Sequence, residues 1–117
     1  MADFMELHND AMALAEQAVF EHKNGSPEKA ARLEAEAFEK EKQVALAGKD
    51  KPEPLRSILL RSAATLAHRC GKLEEAERLV HIALSGSPPS DIKLELNDLL
   101  RQVTFEHACK QGKMEEK

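Results

Sequence analysis

Two His-x-Cys triplets, His68-Arg69-Cys70 and His107-Ala108-Cys109, hold the side chains best suited to metal binding or nucleophilic chemistry. On a helix, residues two apart point roughly 200° apart around the axis, so one ion cannot easily take both members of a triplet. A cross-helix site from His68 and Cys109 stays open as a metal or redox alternative. Each His falls near the end of a helical stretch, where an imidazolium complements the negative dipole end. Glu34, Glu36, Glu39 and Glu41 read as a charged outer face, with no pocket implied. No Gly-rich phosphate loop, nucleophile elbow or Cys/His/Asp set appears. The chain therefore reads as no enzyme, with no cofactor and no metal.

The composition agrees. A chain of 117 residues with 32% charged residues, no Trp or Tyr and four Phe fits one soluble domain. Ala, Leu, Glu and Lys dominate, favouring helices over strands. The net charge is −4, without a basic arm or interleaved aromatics, which argues against nucleic acid. Cys70 and Cys109 form no CxxC pattern and read as reduced thiols. No apolar run reaches membrane-spanning length and no signal-type segment opens the sequence, so a cytoplasmic location is expected and no membrane partner.

These side chains need helices to position them. Residues Asp3 to Lys23 place Phe4, Leu7, Ala11, Leu14, Ala15, Ala18 and Val19 on one helical face, with Asp3 as N-cap and Asn24-Gly25 as terminator. Ser26-Pro27-Glu28 supplies a cap, a first-turn proline and a dipole-matched acid for helix two. Its stretch Glu39 to Gln43 is almost wholly polar and is expected to project beyond the core. A linker with a glycine and two prolines occupies 48–54. Helix three starts at Leu55, Gly71-Lys72 makes a turn, and helix four runs from Leu73 to Leu84. Gly86 to Pro89 breaks the chain, Ser90-Asp91 caps helix five, and residues 112–117 form a frayed tail. The expected organisation is hairpin one over 3–47, hairpin two over 55–85 and a capping helix over 90–111, all in one domain over 1–117. The fold class is all-α, with about five helices.

The two hairpins echo each other. Ala18 and Ala64, His22 and His68, Gly25 and Gly71, Ala30 and Ala76, Leu33 and Leu79, and Ala37 and Ala83 are each 46 positions apart. Residues 57–90 resemble a tetratricopeptide repeat, a helical pair of ~34 residues. Leu60 stands where that family often has Trp, Ala64, Ala76 and Ala83 hold its small positions, Gly71 its turn, and Pro88 its closing proline. Residues 11–47 match through Ala18, Gly25, Ala30 and Ala37. Residues 109–116 echo the turn of hairpin two, so helix five reads as the first helix of a third unit. Residues 11–47 also resemble the first hairpin of the three-helix microtubule-interacting-and-transport domain.

The repeat resemblance implies antiparallel hairpins stacked as a short right-handed array, working as an adaptor that binds a peptide or partner helix. The groove made by the first helices would include His22, Lys23, Arg61, Thr65, His68, Arg69 and Gln102, beside Met12, Ala15, Val19, Ile58, Leu99 and Glu106. Lys23, Arg61 and Arg69 would give a cationic strip suited to an acidic protein or peptide. The family's carboxylate clamp is missing, since its places hold Ala15, Val19, Arg61, Thr65, Gln102 and Glu106. A self-associating homodimer that covers the array's apolar edges is the alternative.

Overall fold

Five helices, with no strand among the described residues, build the fold in a computed structural model that describes residues 4–110. They are α1 (Phe4–Lys23), α2 (Pro27–Ala47), α3 (Leu55–Arg69), α4 (Leu73–Leu84) and α5 (Ser90–Lys110). The fold class is all-α. Helix α1 packs on α2, α2 on α3, α3 on α4 and α4 on α5, while α5 also touches α3. The Asp3 cap and the tail beyond Lys110 lie outside the described residues.

Both hairpin turns use one device. Gly25 and Gly71 take φ of 82° and 78°. Around the first, the N–H groups of Gly25 and Ser26 donate to the carbonyls of His22 and Glu21 at 3.2 and 2.9 Å. Around the second, Gly71 and Lys72 donate to His68 and Ala67 at 3.0 and 2.9 Å. This paired closure is a Schellman turn, and its left-handed residue is strained in any side chain bearing a Cβ. A Cβ at either glycine would meet nothing within 4 Å, so the penalty is conformational rather than steric. Gly71→Ala is therefore expected to lower stability by about 1–2 kcal/mol in urea unfolding, with the slope unchanged.

The small residues matched between hairpins are the ones that pack. Ala18, Ala64, Ala30, Ala76, Ala37 and Ala83 are 0 to 3% exposed. Without long side chains there, helix axes can approach, and Leu59, Leu60, Leu79, Leu96 and Phe38 fill the spaces between layers. Ala76→Leu is expected to cost about 1–3 kcal/mol by overpacking, read as a lower melting midpoint in circular dichroism.

Three local expectations are corrected. Ser26 occupies the N-cap of α2 but its side chain makes no cap hydrogen bond, so Pro27 in the first turn carries the helix start. Helix α5 already includes Ser90, and the first helical bond runs from the Lys93 N–H to the Pro89 carbonyl at 2.8 Å. The stretch Glu39 to Gln43 does not project. Glu41 is 0% exposed and is flanked along α2 by buried Phe38, Val44 and Ala45. The reason is that α2 is covered on two sides, by α1 and by α3.

The linker is held by specific bonds. Arg56 donates from Nε to the Lys49 carbonyl at 2.8 Å, and from Nη2 and Nη1 to the carbonyls of Ile82 and Ala83 at 2.9 and 3.3 Å. One guanidinium thus satisfies end carbonyls of α4 while fixing the loop beside it. Glu53 accepts from the N–H and Oγ of Ser57 at 3.0 and 2.9 Å, starting α3 in place of a capping residue.

Candidate functional site

The residues expected to form a groove separate into two groups. His22 and Lys23 are exposed in the last turn of α1, and Arg69 is exposed in the last turn of α3. With Val19 and Glu34 they line a cleft of ≈ 270 Å³. The Arg69 Nη2 donates to Glu34 Oε2 at 3.0 Å. Val19, on the apolar stripe of α1 and among the residues expected beside the groove, is 41% exposed in this cleft. Among the described residues, Lys23 has no ion pair.

Arg61, Thr65, His68 and Gln102 lie instead along the seam between α3 and α5. Arg61 is ion-paired to Glu95, and the His68 Nε2 lies 3.0 and 3.1 Å from the two carboxylate oxygens of Glu106. Thr65, on α3 between Arg61 and His68, is exposed, as is Gln102 on α5. The cationic strip is therefore interrupted. Arg61 spends its charge on an interhelical pair, and Arg69 shares its charge with Glu34. Lys23 is left as the cation with the freest reach.

Both partners of these arginines lie far away along the chain. Arg61 and Glu95 are 34 residues apart, and Arg69 and Glu34 are 35 apart. Reading one helix face at a time misses such pairs, because Glu95 lies on α5, parallel to α3, and Glu34 lies on α2. His68 and Glu106, 38 apart, continue the same parallel alignment of α3 with α5.

The carboxylate series on α2 is not a uniform outer face. Glu34 is tied to Arg69, and Glu41 is fully buried against His8. The Nδ1–H of His8 donates to Glu41, 2.9 Å from both oxygens. Lys42 joins α2 to α4 by a 2.9 Å bond to Glu75, with its ammonium 5.4 Å from the centre of the Phe38 ring. The hydrogen bond to Glu75 is the main reason the Lys42 amine is held above its usual range. Among the described residues, no buried side-chain nitrogen or oxygen lacks a partner.

No family model, curated protein or solved structure matches the chain. No set of three His, Cys, Asp or Glu side chains among the described residues could hold a metal ion. Cys70 and Cys109 are free, and burial pushes the Cys70 thiol upward, away from the thiolate form. No helix among the described residues is long and apolar enough to cross a membrane. The cleft presents two cations, an imidazole, a carboxylate and one apolar side chain.

Proposed function

We propose that this protein is a small tetratricopeptide-like adaptor that holds an acidic peptide segment in the cleft between α1, α2 and α3. The observation that carries the reading is the convergence of Lys23, His22 and Arg69 around exposed Val19 on a chain whose net charge is −4. Two permanent cations face one carboxylate there, so the cleft is locally positive on an acidic molecule. A peptide carboxylate bonds to Lys23 and shares the Arg69 guanidinium with Glu34, while a neighbouring apolar residue covers Val19. Partial exclusion of water around Val19 strengthens those charge contacts relative to bulk solvent.

The repeat assignment is supported by the matched Schellman turns, the matched buried alanines and the parallel alignment of α3 and α5 near a 34-residue offset. The work is binding rather than catalysis, in a reducing compartment such as the cytoplasm where both cysteines stay thiols. Selection from a random-peptide library on the immobilised protein is expected to enrich Asp or Glu beside an apolar residue. Lys23→Glu should weaken the selected peptides about tenfold, near 1.4 kcal/mol, while stability stays within about 0.5 kcal/mol. Enriched peptides without acidic residues, or equal affinity for the variant, would overturn the proposal.

A further inference from the structure

Helix α5 carries two large apolar side chains, Leu94 and Phe105, on a face turned to solvent. Its inner stripe, Ile92, Leu96 and Val103, is buried against the array. On the opposite side, spaced four and three residues in alternation, stand Leu94, Asp98, Arg101, Phe105 and Ala108. Leu94 is 68% exposed and Phe105 is 58% exposed. Leu100, Arg101, Thr104, Phe105 and Ala108 line a mainly apolar groove of ≈ 580 Å³. Because α5 ends the packing order, no described helix covers this side.

The order of residues along that stripe identifies what fits it. Leu94 and Phe105 are equidistant from a point midway between Leu99 and Leu100, and so are Asp98 and Arg101. A second α5 laid antiparallel about that point sets Leu94 against the other copy's Phe105 and Asp98 against its Arg101, each twice. Within one chain Arg101 already pairs with Asp98, so the two copies would bring four charges into one alternating cluster. Laid parallel about a two-fold axis, the same stripe would oppose Asp98 to Asp98 and Arg101 to Arg101. The alternating spacing is that of a two-helix seam, where apolar knobs enter holes on the facing helix. A two-fold interface requires a patch complementary to itself, and this patch is.

We infer that the outer face of α5 is the docking surface for a second copy of this chain, forming an antiparallel α5–α5 homodimer centred between Leu99 and Leu100. One helix pair makes a small interface, so the dimer is reversible and concentration-dependent. The surface is separate from the Lys23 cleft, and Lys23→Glu leaves dimerisation unchanged.

Sedimentation equilibrium from micromolar to millimolar chain tests this with charge variants at exposed positions. The wild-type protein is expected to pass from monomer to dimer, and Phe105→Glu to weaken association at least about tenfold. Asp98→Arg and Arg101→Asp should each be monomeric alone, since each opposes like charges. Mixed in equal amounts they should form a heterodimer, because both cross-pairs then become complementary. Circular dichroism checks that each variant keeps its helices. A wild-type chain monomeric at millimolar concentration overturns the inference and leaves the face to another partner. A dimer that tolerates all three single substitutions, or a mixture that stays monomeric, overturns the antiparallel register.

Discussion

His8→Ala is expected to destabilise the protein by about 3–5 kcal/mol, because it strands a buried carboxylate. Glu41 is 0% exposed, and both of its oxygens take their hydrogen bond from His8. Removing the imidazole leaves that carboxyl between α1 and α2 with no described side-chain partner. The loss is then much larger than the worth of the intact pair, since desolvation of Glu41 is no longer offset. A second substitution separates the two quantities. His8→Leu combined with Glu41→Leu replaces the pair by apolar side chains and is expected to recover at least half of the loss. Urea unfolding of the single and double variants measures this. A cost below about 1 kcal/mol for His8→Ala would place Glu41 in contact with water.

Phe38→Ala is expected to cost a similar amount, about 3–5 kcal/mol. Phe38 is 0% exposed in α2 and belongs to the same buried cluster as Leu59, Leu60, Leu79 and Val80. Truncation leaves a cavity that the surrounding alanines cannot fill, because their side chains have no further reach. The ring also lies under the Lys42 ammonium, so the variant removes a cation–π contact beside the bond from Lys42 to Glu75. Calorimetry should show a lower transition temperature that remains one cooperative transition. Two separated transitions would mean that the hairpins unfold independently and that α2 does not bind them into one core.

The turns were legible because Gly25 and Gly71 carry local backbone information, and a left-handed position next to a small-residue stripe points to a hairpin whatever its surroundings. The helix bounds followed for the same reason, through Pro27, the 48–54 linker and Pro88-Pro89. What escaped was tertiary pairing. Glu41 sits in a polar stretch, and its burial depends on His8, 33 residues away on a different helix. Amphipathic periodicity assigns a glutamate to solvent and has no means of assigning it a partner. Val19 shows the opposite side of the same point. It continues the apolar stripe of α1, yet α1 is not packed against α3, and the end of that stripe opens into a cleft. Of the expected groove, His22, Lys23 and Arg69 come together, whereas Arg61 and His68 are occupied by α5. The division of these side chains between a cleft and a seam depends on Glu34, Glu95 and Glu106.

The adaptor reading is tested most directly by titrating the isotopically labelled protein with a selected acidic peptide and following backbone amide shifts. Saturable changes are expected at Val19, His22, Lys23 and Arg69, weakened by added salt and abolished in Lys23→Glu. Changes confined to Leu94, Arg101 and Phe105 on α5, or none at the cleft, would contradict the adaptor reading.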